Sequence, residues 1–308
     1  LIIYKEGKVK DFKDILGFIK NLGNRFKLVV CQANDHYILQ AVEFVRQEGL
    51  IEPILVGFRD EIEDIANQAK IDLVNYQINH TLKKSNIAKN AVRIVARGEA
   101  DILMKGGIQT GEILREVLIK DNNLNIGRIL STLVAFKHRK FERFLFLIHA
   151  ALNIVPDLKQ KQDIVQNVIN FVKNMGIEKP VVAILSPVET VNPSMPETID
   201  AACLSKMAER GTIKGGRVEG PLALDNALFA DAAERKGIKS PYAGNADVLV
   251  AQDLSSADIL YKSLTFFGDA DAASILIGAK VPIIMTSRAD SVQTMINSII
   301  LGLYSCYR

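Results

Sequence analysis

The sequence predicts an α/β protein built from two three-layer α/β/α domains. Three observations carry this. Short apolar runs alternate with segments of helical period, the β-α-β-α order that builds a mostly parallel sheet with helices on both faces. The runs are continuously apolar, as strands buried on both faces must be. The pattern then restarts after Arg128, and 308 residues suit about two domains.

Element by element, Phe26–Cys31 reads as the first buried strand. His36–Glu48 follows as an amphipathic helix, with Ile38, Ala41, Val42 and Val45 on one face. Pro53–Gly57 is a strand, Ser85–Arg97 a helix, Asp101–Lys105 a strand broken by Gly106 and Gly107, and Ile113–Leu118 a helix. After the restart, Arg143–Ile148 and Pro180–Leu185 read as strands, Leu158–Met175 and Glu197–Arg210 as helices. Residues 215–220 are glycine-rich. Ala223–Arg235 and Asp258–Phe267 are helical, Ala246–Ala251, Ile275–Gly278 and Pro282–Thr286 strand-like, and Ser291–Leu303 the closing helix. The expected division is residues 1–130 plus 278–308 as one domain and 131–277 as a second, inserted one.

Composition narrows the function. Hydrophobic residues at 48% and charged residues at 24% exclude disorder as the main state. No apolar run nears the ~20 residues of a membrane span. Net charge is +3, from 38 basic and 35 acidic residues, which excludes a general nucleic-acid binder but permits a local basic pocket for an anion. Leu1 to Lys20 mixes charges among apolar residues and holds no signal-peptide core. The opening Leu points to a start further upstream. Cys31, Cys203 and Cys306 are far apart and odd in number, which suits the reducing cytoplasm and buried apolar roles. His36, His80, His138 and His149 lack ligand spacing, so no metal site is expected. The phosphate loop, the dinucleotide fingerprint and the common hydrolase and zinc motifs are absent.

Three segments carry chemistry. In the first, a strand ends in Lys105-Gly106-Gly107 and a helix begins near Thr110. Glycines allow close approach of backbone to ligand, and a helix N-terminus offers free N–H groups to an anion. Thr110 is the expected cap. Arg115 lies a turn further on. The plain alternative is an ordinary turn with a solvated lysine. In the second, the strand at Pro282 delivers Ser287, Arg288 and Asp290 before a helix. Ligands of open α/β sheets bind at such strand ends. Here a hydroxyl, a forked cation and a carboxylate arrive together. Alternatively Asp290 or Ser291 only caps the last helix. In the third, Gly220-Pro221 opens a helix carrying Asp225 and Asn226, or else a solvent-facing first turn.

Four blocks together resemble the phosphate acetyltransferase and phosphate butyryltransferase family, and the butyryl branch more. They are Ala-Asp-Ile-Leu-Met-Lys-Gly-Gly-x-x-Thr ending at Thr110, Glu-Thr-Val-Asn-Pro-x-Met-Pro-x-Thr from Glu189, Gly-Pro-Leu-Ala-Leu-Asp-Asn-Ala from Gly220, and Gly-Ala-Lys-Val-Pro-Ile-Ile-Met-Thr-Ser-Arg-Ala-Asp-Ser from Gly278. The resemblance runs from about Val29 to Leu303. It implies an isocitrate dehydrogenase-like fold with a cleft between domains, a homodimer in the cytoplasm, and the exchange acyl-CoA + phosphate = acyl phosphate + CoA. Coenzyme A enters as substrate, with no cofactor, metal, nucleic acid or membrane. It carries over Ser287, Arg288 and Asp290 as catalytic residues. Lys105, Gly106, Gly107, Thr110, Arg115, Arg128, Ser131, Asp225, Asn226 and Lys262 carry over as phosphate or CoA contacts.

Three positions depart from the butyryl branch. Thr132 stands where it has His, His149 where it has Asp, and Asp258 lies in the segment where it has Glu-Ala-Gly-Asn. They motivate a second reading, a non-catalytic paralogue that binds CoA or acyl phosphate. A dehydrogenase on the same fold would need metal-binding carboxylates, and no such cluster is visible. Acyl length stays open, because one methylene is worth only ~1–3 kcal/mol in a pocket.

Overall fold

The computed structural model describes residues 9–150 and 154–307. Asp11 starts α1 (Phe12–Leu22). Its carboxylate accepts from the N–H groups of Lys13 and Asp14, while Asp14 returns a bond to the Asp11 N–H, a reciprocal cap. Gly23 closes the helix in a left-handed conformation. The chain then alternates as β1 (Phe26–Cys31), α2 (His36–Gln47), β2 (Ile51–Gly57), α3 (Arg59–Ala69), β3 (Gln77–His80), α4 (Ile87–Ala96), β4 (Ile102–Lys105) and α5 (Thr110–Val117).

The middle of the chain forms β5 (Ser131–Lys137), β6 (Leu145–Ala150), α6 (Leu158–Asn174), β7 (Val181–Leu185), α7 (Pro196–Glu209) and β8 (Arg217–Leu222). The short helices α8 (Leu224–Leu228) and α9 (Ala230–Arg235) follow, then β9 (Val248–Val250) and α10 (Leu254–Lys262), which runs on into a π-helical turn over Ser263–Phe267. The last elements are β10 (Asp271–Ile277), β11 (Ile283–Ile284) and α11 (Val292–Ser305).

Two compact units result. The flanking unit is Asp11–Gly127 with Ala272–Arg308, and the inserted unit contains Arg128–Asp271. The boundaries fall at 127/128 and 271/272, against the expected 130/131 and 277/278. The second difference follows from β10, which pairs antiparallel with β11 (Ile275 opposite Ile284) and so clusters with the flanking unit.

The flanking unit orders its strands β3-β2-β1-β4-β11-β10. All its pairs are parallel except β10–β11. Leu28, Val29, Val30, Leu103 and Met104 are fully buried at its centre, because helices cover both faces of β1 and β4. Every residue of α11 from Met295 to Tyr304 is buried, the pattern of a helix enclosed on all sides. It packs on α1 and α2, and the Phe18 and Tyr304 rings meet edge to face at 5.7 Å.

The inserted unit orders its strands β5-β6-β9-β7-β8. Only β5–β6 is antiparallel. Its buried cation is Lys161 on α6. The Lys161 ammonium donates to Asp200 at 2.6 Å and to the Gln252 carbonyl at 3.0 Å, while the Gln252 amide donates to the Leu185 and Glu197 carbonyls. One lysine and one glutamine thus tie α6 and α7 to the ends of β7 and β9.

Part of the glycine-rich run becomes β8, which the sequence did not reveal. Gly220 is required there, since a Cβ would lie 2.9 Å from the Ile184 Cβ and 3.0 Å from its carbonyl oxygen. Pro221 is tolerated because β8 ends the unit's strand order.

Candidate active site

In the flanking unit, β1, β4 and β11 run parallel, so the segments that follow them meet at one sheet edge. Three pieces of chain are brought together there: Gln32–Asp35, Lys105–Gly107 and Ser287–Asp290.

The first two touch through backbone. The Gly106 N–H donates to the Cys31 carbonyl and the Gly107 N–H to the Gln32 carbonyl, both at 2.8 Å. A Cβ on Gly106 would lie 2.2 Å from the Gln32 oxygen, and one on Gly107 would lie 2.4 Å from Asn34 Oδ1. Gln32 itself takes φ 62°, a left-handed conformation few side chains adopt. Gly106 is therefore needed for this crossing, whatever binds beside it, whereas a side chain at Gly107 would have to displace only the Asn34 side chain.

Lys105 ends β4 and is only 6% exposed. Its ammonium reaches two backbone carbonyls over long bonds, Thr286 at 3.3 Å and Gly106 at 3.4 Å. Among the described residues no carboxylate lies within ion-pair distance of it. Burial, and then the positive charge of Arg288, push its pKa down.

Thr110 does not cap α5, contrary to expectation. Gln109 occupies the cap position and no side chain caps the helix, because Thr110 is already its first helical residue. The opening N–H groups of α5 are thus left without a side-chain partner. Arg115 projects from α5 and is exposed.

Ser287 and Arg288 are exposed, and Asp290 is half-buried. Asp290 accepts from the Ser287 N–H at 2.7 Å, closing a tight turn around Arg288. It does not cap α11. Ser291 does, accepting from the Thr294 N–H at 3.1 Å.

Cys31 lies beside Lys105 in the strand register and is fully buried. Burial, and then the charge of Glu112, push its thiol well above the ordinary range, so it is a poor nucleophile. Cys203 and Cys306 are only half-buried, less than expected.

The inserted unit holds the other carried-over residues. Arg128 is exposed. Ser131 is fully buried, its hydroxyl donating to the Ile129 carbonyl and accepting from Asn167. That hydroxyl is occupied by the unit's own core. Lys262 is exposed and paired at 2.7 Å with Asp258 one helical turn earlier.

Asp225 and Asn226 belong to a cluster that sequence reasoning half missed. The Asn226 amide donates to Glu189 at 2.5 Å, and Lys236 bridges Glu189 (2.5 Å) and Asp225 (3.0 Å). Lys236 draws both carboxyls below their usual range, and they raise its own. Asn226 is fully buried and its carbonyl oxygen has no partner. Glu189 opens the Glu-Thr-Val-Asn-Pro block, which is its signal in the sequence. Lys236 carried none.

The same unit contains a cavity of about 560 Å³ with nearly apolar walls, formed by Phe136, Phe141, Leu224, Leu228, Phe229 and Leu264, with His138, Lys140 and Asp225 also lining it. Among the described residues, no group of three or more His, Cys, Asp or Glu could hold a metal, and no helix is long and apolar enough to cross a membrane.

Residues 63–303 match the protein family described as "Phosphate acetyl/butaryl transferase". A phosphate butyryltransferase of Clostridium acetobutylicum is 41% identical over 96% of this chain and 97% of its own. A phosphate acetyltransferase of Rhizobium meliloti is 45% identical over 91% of this chain and 89% of its own. Among solved structures, a branched-chain phosphotransacylase from Enterococcus faecalis V583 superposes with a TM-score of 0.81 at 29% identity, covering 92% of this chain and 99% of that one.

Fold and relatives together define an acyltransferase that works with phosphate. The chain belongs to the phosphate acetyl/butyryl transferase family.

Proposed function

We propose that this enzyme exchanges a butyryl or branched short-chain acyl group between coenzyme A and orthophosphate, by direct transfer within a ternary complex. It acts as a cytoplasmic homodimer without metal or resident cofactor.

The observation that carries the reading is the pair Lys105 and Arg288. Two cations share one strand edge, the charge of Arg288 lowers the pKa of Lys105, and no carboxylate among the described residues lies within ion-pair distance of Lys105. Such an arrangement favours an anion of high charge. The N–H groups of Thr110 and Gly111 at the opening of α5, which no side chain caps, add to it.

In the proposed chemistry, Arg288 grips phosphate in a bidentate fork and positions it against the thioester carbonyl. The Ser287 hydroxyl donates to the oxyanion of the tetrahedral intermediate. Towards acyl-CoA, Asp290 takes the thiol proton with the carboxylate it also uses to close the turn. Lys105, Gly106, Gly107, Thr110 and Arg115 line the phosphate side. Asp225, Asn226, Arg128 and Lys262 are assigned to CoA, with Ser131 acting through its core hydrogen bonds. The high thiol pKa of Cys31 supports direct transfer over an acyl-cysteine intermediate.

Preference for butyryl or branched groups over acetyl rests on the sequence blocks and on likeness to the branched-chain phosphotransacylase. A non-catalytic paralogue is less well supported, since the turn bearing Ser287, Arg288 and Asp290 is intact.

The test is CoA release from acetyl-, butyryl- and isobutyryl-CoA, with and without phosphate, for the native enzyme and for Ser287→Ala and Arg288→Ala. Phosphate-dependent release, fastest with the four-carbon substrates and down about 10²-fold or more in each variant, is expected. Folded protein that binds CoA but releases none would favour the binding-protein reading.

A further inference from the structure

We propose that Lys105 is the acid–base group on the phosphate side of the exchange: it protonates the oxygen that departs with phosphate and, in the opposite direction, removes the proton from that oxygen as it attacks. This deepens the function proposed above and rests on it.

The chemistry calls for such a group. Towards acyl-CoA, the CoA sulfur bonds to the carbonyl carbon and the bond from that carbon to the phosphate oxygen breaks. Asp290 takes the thiol proton. Unassisted, the departing group would be the phosphate trianion, a far stronger base and a poorer leaving group than hydrogen phosphate. A proton delivered to the bridging oxygen by a general acid makes hydrogen phosphate the product. The balance closes. CoA thiol and acyl phosphate dianion become thioester and hydrogen phosphate dianion, with one proton gained by Asp290 and one lost by Lys105. Solvent then carries a proton from Asp290 back to Lys105. Arg288 cannot fill this place, because a guanidinium keeps its proton at any working pH.

The geometry fits a lysine made for proton transfer. An ammonium has three donors. Lys105 uses two of its own on long bonds to the Thr286 and Gly106 carbonyls. Its titratable or charged neighbours come from three elements: Arg288 and Asp290 from the turn after β11, Asp35 from the start of α2, and the Cys31 thiol from β1. Burial and Arg288 favour the neutral amine. Asp290, Asp35 and Cys31 oppose them more weakly, so the net shift is downward. An amine in that position gives up its proton more readily than one at the surface. A carboxylate and a lysine in different surroundings are the kind of pair that divides acid and base work.

Lys105→Arg separates charge from proton transfer, and Lys105→Met removes both at similar volume. Each is compared with the native enzyme for kcat, phosphate KM and the pH dependence of kcat, with urea melting and CoA affinity as folding controls. Lys105→Arg is expected to keep a near-native phosphate KM while kcat falls about 10²-fold or more and one limb of the pH profile disappears. Lys105→Met should also raise KM. In Lys105→Ala, small primary amines should restore turnover in step with their basicity. A Lys105→Arg enzyme with native kcat and pH profile would overturn the proposal, leaving Lys105 a fixed charge. So would an alanine variant whose activity ignores added amine. Absence of phosphate-dependent CoA release in the native enzyme would instead sink the proposed function itself.

Discussion

Thr132 on β5 and His149 on β6 are direct cross-strand partners. They are also two of the three positions that the sequence resemblance marks as departures from the butyryl branch. Directly opposed residues share one face of the sheet and their side chains meet, so the two positions should be energetically coupled. The third, Asp258, spends its charge on Lys262. Thr132→Ala and His149→Ala are expected to be non-additive in urea denaturation by about 0.2–1 kcal/mol. Additive losses would show that the two positions are not coupled.

Gly106→Ala tests the backbone crossing. The added Cβ would meet two carbonyl oxygens, Gln32 at 2.2 Å and Cys31 at 2.5 Å, and neither belongs to a movable side chain. The expected loss is about 1–3 kcal/mol by thermal or urea melting. Turnover should fall further than stability implies, because Lys105 is the adjoining residue. Unchanged melting and turnover would mean the crossing relaxes freely.

Acid sensitivity should trace to Glu43. It accepts two bonds from Arg46 (2.7 and 2.8 Å) and one from the Tyr76 hydroxyl (2.5 Å), which fastens α2 to the segment before β3. The Arg46 hydrogen bonds are the main cause that holds its pKa at about 2, below the usual glutamate value. A depressed folded pKa gives stability that is whole above the ordinary value and is lost as pH falls towards about 2. The stability gap between native protein and Glu43→Gln should narrow over that window. A gap independent of pH would contradict it.

The two ends of the Lys161–Asp200 pair should not be equivalent. The Lys161 side chain is 6% exposed and that of Asp200 25%. Asp200→Ala strands a buried cation, with an expected cost of about 3–5 kcal/mol. Lys161→Met leaves a carboxylate that water can reach and should cost clearly less in the same urea titration. Equal costs would mean Asp200 is as dry as its partner.

Much of the fold is legible in the sequence, for a physical reason. Strands buried on both faces have to be apolar there, so the run of residues 28–31 announces the strand Phe26–Cys31, whose first two residues are not fully buried. Legibility fails where burial is partial. The strand Gln77–His80 has no fully buried residue and hides among polar neighbours. The strand Arg217–Leu222 holds a glycine and a proline that its place at the end of the order permits. Of the site, Lys105, Gly106, Ser287 and Arg288 are visible because turn chemistry is local. Glu189 and Asn226 are 37 residues apart, and no spacing rule joins them. The exposure of Asp225 and the burial of Asn226 likewise depend on tertiary packing.

The crossing of Gly106 over Cys31 and Gln32 divides what evolution can adjust here from what it cannot. Side chains can be exchanged one at a time, so acyl preference can drift among relatives by small steps. Contacts between main chains offer no intermediate steps, since at Gly106 the smallest possible change already collides with the fixed oxygens of Gln32 and Cys31. Selection on substrate size should therefore leave this point of the strand edge untouched and accumulate its substitutions elsewhere, which makes Gly106 a steadier marker of descent than of substrate.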